Sequence, residues 1–427
     1  MKKCHIFIAL VINLLTIVVF GQNNFEVIPF PDSLEITSLA INEQGNLYVS
    51  TATGNEINDG IFRSQDNGQS WQCVYDFGVS RNSWSVKIDQ SGAIYAIANF
   101  SFDGGSLIKS IDNGSTWLSH AIPEGSGTHN RRLFITGNDT LFISQSYSSG
   151  ARLLRSTNDG EYWETLFETT GHTSEFITDL AISENGDMFV SLFGYFEICG
   201  GVYKSTDNGS TWQFIGLQSH QVTDLEYNSI GDLFISSRGS FDPTGGIYVI
   251  YHDQETISPV FISTGTSGLV INSSDNIFAG NNWQNGIFHS ADGLTFEFIT
   301  PVMPDNCAIS NLYLDSEEYL YAIMEGTSVI SKSIDPTITS NKNRSVRKLV
   351  GVYFDPSTYM LHAFINEIYN KKCYFQVMNS NGMISVQGCM NINSNTFEIP
   401  LPDLSIGIYF LRIISNDIQF SGKFLIN

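Results

Sequence analysis

An eight-residue turn written four times constrains this chain more than any other feature. It reads Ser64-Gln65-Asp66-Asn67-Gly68-Gln69-Ser70-Trp71, then Ser110-Ile111-Asp112-Asn113-Gly114-Ser115-Thr116-Trp117. It returns as Ser156-Thr157-Asn158-Asp159-Gly160-Glu161-Tyr162-Trp163 and as Ser205-Thr206-Asp207-Asn208-Gly209-Ser210-Thr211-Trp212. Successive copies start 46 to 49 residues apart, a period that marks a repeat architecture. The chemistry of each copy is that of a tight turn. Asp66, Asp112 and Asp207 can accept backbone N–H groups just ahead of them. Gly68, Gly114, Gly160 and Gly209 permit positive φ. Trp71, Trp117, Trp163 and Trp212 open the next strand with a ring that can pack on a sheet edge. The copies are equivalent, and catalytic groups need not be repeated, so the turns read as scaffold.

Aligning on the turn exposes a longer unit of four short strands, A to D, with the turn joining C to D. In one copy these are Ile177 to Ile182, Met188 to Ser191, Gly201 to Lys204 and Gln213 to Ile215. Seven units can be counted. The fifth turn is degraded to Tyr251-His252-Asp253-Gln254-Glu255. The sixth keeps Asp292 but is one residue short and ends in Phe296, and the seventh survives only as Ser333-Ile334-Asp335 with no strand D. Phe25 to Pro29, ahead of any strand A, supplies the missing strand. A strand from one end completing the unit begun at the other closes a ring and removes open edges. The expected fold is therefore all-β: a seven-bladed β-propeller closed by an N-terminal strand, followed by a small β-sandwich.

Charge divides the chain. Residues 22–336 hold 38 Asp+Glu against 11 Lys+Arg, whereas residues 337–427 hold 5 against 8. That break places a boundary near Pro336. The expected divisions are a signal peptide over 1–21, a propeller over 22–336, a linker over 337–352 and a second β unit over 353–427. The acidic part would repel nucleic acid and anionic membrane surfaces. Lys2 and Lys3 followed by the apolar run Ile6 to Phe20 read as a secretory leader. No later apolar stretch is long enough to span a bilayer. Past the leader, Cys73, Cys199, Cys307, Cys373 and Cys389 are too few and too odd in number for a disulfide scaffold. Cys373 and Cys389 flank a hairpin turn at Asn381-Gly382 and could bond if the register holds them opposite each other.

The turns resemble the Asp-box, or bacterial neuraminidase repeat, of sialidases, sortilin-type receptors and other secreted propellers. The resemblance spans about residues 25–336 and implies structural boxes on the face opposite the usual ligand site. It does not carry sialidase activity. The Arg-Ile-Pro stretch that usually precedes the first box is absent, and nothing selects three carboxylate-clamping residues from Arg81, Arg131, Arg132, Arg152 and Arg238. Arg63 and Arg155 sit on strand C, at the wrong radius.

A second resemblance covers the last 75 residues. Val352-Tyr353-Phe354-Asp355-Pro356-Ser357-Thr358, the hairpin at Met378 to Gly382, and Leu404-Ser405-Ile406-Gly407-Ile408-Tyr409-Phe410-Leu411-Arg412-Ile413 resemble type IX secretion C-terminal sorting domains of Bacteroidota. Phe354-Asp355 stands where that family has Pro-Asn. The resemblance implies that residues 353–427 are recognised by the type IX machinery. The passenger is then released or attached at the outer-membrane surface, after passing through the periplasm.

Function is looked for on the face where the B–C and D–A connections emerge. Phe100, Phe102, Tyr147, Tyr195, Phe196, Phe241 and Trp283 lie in or beside the B–C loops, with acids nearby. Aromatic faces beside polar groups suit a sugar ring or a docked peptide. The expected function is a binding or adhesion module for extracellular glycan or protein. The alternative is a glycoside hydrolase on the same face, whose two carboxylates cannot be chosen from sequence. His129, His172 and His220 each precede a strand A, but read as unrelated surface histidines. No metal or cofactor is expected.

Overall fold

The computed structural model describes residues 25–337 and 345–426. Short connections at 32–33, 53–58, 79–80, 101–103, 124–128, 148, 171–174, 195–199, 240–244, 264, 282–285, 300–307, 349–350, 365–370, 380–383, 393, 395, 403 and 415–417 fall outside that description.

Seven antiparallel sheets follow one another from Phe25 to Ser333. Sheet 4 shows the pattern, with Glu175–Ile182, Met188–Gly194, Gly201–Ser205 and Gln213–Gly216 paired in that order as strands A to D. Strand B is buried along its whole length because neighbouring sheets cover both its faces. Strand D is largely exposed, which explains its polar sequence. The inner strands touch in sequence: Ile36–Ile41, Val86–Ile88, His129–Ile135, Glu175–Ile182, Gln221–Tyr227, Thr266–Ile271 and Ile309–Leu314. The last returns to the first, so the sheets form a propeller around a central channel. In sheet 2 strand A is split into Arg81–Asn82 and Val86–Ile88.

The ring is closed by the N-terminal strand. Phe25–Pro29 runs antiparallel to Val329–Ser333, with Phe25 opposite Ser333 and Pro29 opposite Val329. Phe25 and Ile28 are buried between sheets, and Pro29 is tolerated because this is an outer edge.

The boxes do more than fix turns. Within each, the serine hydroxyl accepts the glycine N–H (Gly68 N to Ser64 Oγ, 2.8 Å) and donates to the acid (Asp66 Oδ1, 2.8 Å), or in the third box to Asn158 Oδ1 (3.0 Å). The acid also takes the N–H and hydroxyl of the residue before tryptophan, as Thr211 N at 2.8 Å and Thr211 Oγ1 at 2.6 Å on Asp207. These hydroxyl and backbone donors hold Asp66, Asp112 and Asp207 down to about 2. Asn67, Asn113, Asp159 and Asn208 adopt positive φ beside the glycines, which Asn and Asp tolerate.

Each box then reaches the preceding sheet. The indole of Trp71 donates to Pro29 O at 2.8 Å, Trp117 to Val74 O at 3.0 Å and Trp212 to Leu166 O at 2.9 Å. A Cβ on Gly209 would meet Leu166 at 2.5 Å, so the turn and the preceding strand D are in contact. A strand C cation grips from the other side. Arg63 donates to Asn113 O (2.7 Å) and Arg155 to Asn208 Oδ1 (2.9 Å), and Lys109 pairs with Asp159 (2.8 Å). Lysine thus meets the one box with a carboxylate at that position, and arginine meets the asparagines, through the main-chain oxygen of Asn113 and the side chain of Asn208.

The tail is a five-stranded sheet against a three-stranded one. The larger runs Ser345–Lys348, Ile418–Ile426, Gly407–Ile414, Lys371–Asn379 and Ile384–Ile392; the smaller runs Gly351–Asp355, Met360–Phe364 and Thr396–Pro400. Leu361, Val377, Ile399 and Leu411 are fully buried between them. Ser345–Lys348, within the expected linker, is a strand paired in parallel with Ile418–Ile426. A bulge between Val377 and Met378 shifts the hairpin, so Cys373 lies opposite Met390 and Cys389 opposite Tyr374. The cysteines are one step out of the facing register that a bond between them was expected to need.

Candidate functional site

Two polar regions of the propeller are built well enough to be sites: the channel and the B–C/D–A face.

The channel is lined by strand A. A bulge recurs in most of these strands, for example between Ile177 and Asp179 and between Val222 and Asp224. It turns the next residue toward the axis. There Asp179 takes Leu180 N (2.9 Å) and, from sheet 5, Leu225 N (2.7 Å). Asp224 takes Gly268 N of sheet 6 at 2.9 Å. Gly268 has φ +62°, and a Cβ there would meet the Asn311 backbone at 2.7 Å. Arg132 crosses from sheet 3 to Asn311 Oδ1 of sheet 7 at 3.2 Å. One layer along lie Lys87, Glu226 and Tyr313, each part-buried. Burial foremost, then Asp224, raises Asp179 to about 7. Burial and then Asp179 raise Glu226 to about 8, against the opposing pull of Lys87. Burial also lowers Lys87. Water reaches these side chains through the channel, which softens every charge among them.

A raised carboxyl stabilises the fold below its unfolded value, near pH 4, and loses that contribution as pH rises through its folded value. Glu226→Gln should therefore change stability little near pH 5 and raise it by roughly 3 kcal/mol at about pH 9. Urea denaturation at the two pH values measures the difference. Equal effects at both would mean that Glu226 ionises normally.

The B–C/D–A face carries a pocket of about 340 Å³ between sheets 3 and 4. Phe167, Tyr203 and Phe214 form its aromatic wall, and Glu168, Thr169 and Glu175 its polar one. Glu175 opens strand A of sheet 4 and is 4% exposed. Among the described residues its Oε2 has no hydrogen-bond partner. Tyr147 braces two of the lining residues. Its phenol lies 2.8 Å from Glu168 Oε1 and 2.7 Å from Thr169 O. Burial and the Glu168 carboxylate push it up to about 12.

Of the aromatic residues expected on this face, only Tyr147 has a described side chain, and it props the pocket from behind. Phe102, Tyr195, Phe196, Phe241 and Trp283 lie outside the described residues, and Phe100 is described only as backbone at the end of strand Ile94–Phe100. The arginines disperse: Arg63 and Arg155 clasp boxes, Arg132 spans the channel, and Arg152 holds Gln145 at 2.5 Å. His220 bonds Tyr248 and Gln218 O, both at 3.1 Å, and His172 lies outside the described residues. No cluster of three or more metal-ligating side chains occurs among the described residues. The channel acids and Glu175 were missed in the sequence. The signal was the acid at the third place of Ile177-Thr178-Asp179-Leu180 and Val222-Thr223-Asp224-Leu225, a pattern that reads equally well as an exposed strand position.

Solved structures share the fold at low identity. PorZ of Porphyromonas gingivalis, a surface component of the type IX secretion system, is 11% identical with a TM-score of 0.50, over 92% of this chain and 59% of its own. A virginiamycin B lyase from Staphylococcus aureus is 11% identical (TM-score 0.56, 72% of this chain, 98% of its own). A GH74 xyloglucanase from Xanthomonas campestris is 12% identical (TM-score 0.56, 81% of this chain, 59% of its own). Such likeness speaks for fold alone. No curated protein matches the chain by sequence. No helix among the described residues is long and apolar enough to cross a membrane. Residues 351–427 match the family of secretion system C-terminal sorting domains, and with that tail the protein is one that type IX secretion delivers to the outer-membrane surface or beyond.

Proposed function

We propose that the exported propeller is a seven-bladed Asp-box module that binds an extracellular glycan or protein on its B–C/D–A face. The observation that carries this reading is the pocket between sheets 3 and 4. A buried carboxylate oxygen without a donor is costly, and a ligand hydroxyl, amide or cation would satisfy it. The rings of Phe167, Tyr203 and Phe214 beside it offer faces for a sugar or an apolar side chain. Phe214 is 40% exposed, so one wall is open to an incoming group.

Glycan and peptide arrays probed with the full-length mature protein test the proposal. On any ligand found, Glu175→Gln and Phe214→Ala should each weaken binding about tenfold, or about 1.4 kcal/mol. A ligand whose affinity neither substitution changes places binding elsewhere. Release of reducing ends from a bound polysaccharide would replace the binding reading with glycoside hydrolysis.

A further inference from the structure

The outer strands of sheets 1 and 3 carry a bulge that prepares them for an indole. Val74 is skipped between the pairs Ile61–Tyr75 and Phe62–Cys73, and Leu166 between Leu153–Phe167 and Leu154–Thr165. The carbonyls of these two skipped residues receive the N–H of Trp117 and Trp212 from the next sheet. Sheet 2 behaves differently in both respects. Its strand Leu118–Ala121 pairs without a bulge, and Trp163, which follows it, donates to Gly160 O inside its own turn at 3.0 Å.

Sheet 4 has the bulge, with Ile215 skipped between Val202–Gly216 and Tyr203–Phe214. Sheet 5 has no indole to offer. Leu233 pairs with Ile250 as Met188 pairs with Ser205, which puts Ile250 at the box serine and Ile257 at the tryptophan. A cleft of about 490 Å³ opens at this joint, with Ile215, Tyr251 and Gln254 in its walls. Its volume lies within the usual ligand range of roughly 300–1,000 Å³. Lys204, the counterpart of Arg63, Lys109 and Arg155, finds no box residue to grip and turns back to Asp187 at 2.9 Å. Glu184 and Glu255 stand exposed on the rim.

We propose that this cleft docks a tryptophan side chain supplied by another polypeptide. Two other joints of the same ring, between sheets 1 and 2 and between sheets 3 and 4, show what the place is shaped for: an indole whose N–H reaches the bulged carbonyl. The rim acids favour a lysine or arginine beside that tryptophan. The cleft lies on the box face, opposite the pocket between sheets 3 and 4, so the two proposals stand apart.

The test titrates the full mature protein with the capped peptide acetyl-Gly-Lys-Trp-Gly-amide, followed by ligand-observed NMR. Saturable millimolar or tighter binding is expected. The Phe counterpart, which lacks the ring N–H, should bind about tenfold more weakly. Ile230→Arg, at a position 46% exposed on the rim, should abolish binding without disturbing the fold. Ile257→Trp should fill the site from within and abolish it too, while Glu175→Gln should leave it intact. Absence of saturable binding, equal affinity for the Phe peptide, or indifference to Ile230→Arg would overturn the proposal. N-acetyltryptophanamide binding as tightly as the peptide would assign the cleft to small indoles and overturn the polypeptide source.

Discussion

Deleting residues 25–30 should unfold the propeller rather than trim it. Phe25, Ile28 and Phe30 are each no more than 4% exposed, and burying such side chains contributes roughly 2 kcal/mol apiece. The deletion also strips the hydrogen-bonding edge of Val329–Ser333 and removes the Pro29 carbonyl that receives the Trp71 indole. Together these losses approach the whole stability of a typical domain, ~5–15 kcal/mol. Circular dichroism melts and size-exclusion chromatography of the truncated protein report the outcome. The expected result is loss of the cooperative transition, with association through the bared edge. A melt within a few degrees of the intact protein would show that six sheets and a three-stranded seventh suffice. Ile28→Asp makes the same point at one position, by placing a charge in contact with the box glycine Gly68.

Trp212→Ala should cost about 3 kcal/mol. The substitution empties a ring-sized space between sheets 3 and 4, where the indole meets Phe167 edge-on with centroids 5.1 Å apart. It also leaves Leu166 O without its donor at a bulge that the ladder does not satisfy. Trp163→Phe is the informative contrast. Its N–H stays inside its own turn, so an apolar ring replaces most of what it does, and a loss under about 1.5 kcal/mol is expected. Chemical denaturation of both variants gives the comparison. Trp212→Phe isolates the donor, and a loss equal to that of Trp163→Phe would mean that the bond into the neighbouring sheet contributes nothing.

Much of this architecture was legible because repeats advertise themselves. The four strong boxes located strands C and D, and Phe25 to Pro29 was recognisable as a spare strand. The grip between sheets was not legible. Trp117 and Val74 are 43 residues apart, and nothing local to either marks the other. The bulges that expose Val74, Leu166 and Ile215 depend on strand pairing, not on residue type. The tail hairpin shows the same limit: Asn381-Gly382 marked the turn, but the bulge at Val377 moved Cys373 and Cys389 out of line. Asp179 and Asp224 are two acids among many, distinguished only by a bulge that points them inward. Tyr147 stands out in sequence as a loop aromatic, but its phenol is spent on Glu168 and Thr169, contacts that nothing local to it announces.

The closing strand also sets an order of events. Phe25 meets Ser333 across 308 positions of chain, so the first strand of the propeller to be made is the last to find its place. Until the strand Val329–Ser333 exists, sheet 7 has no third strand and the ring has no partner for its beginning. A propeller closed by its own first strand therefore cannot complete itself while it is still being made or threaded. The tail comes within a few dozen residues of that moment, so closure of the ring and appearance of the export signal nearly coincide. Contacts this distant form slowly. The ring thus stays open until residues 329–333 are there to receive the first strand.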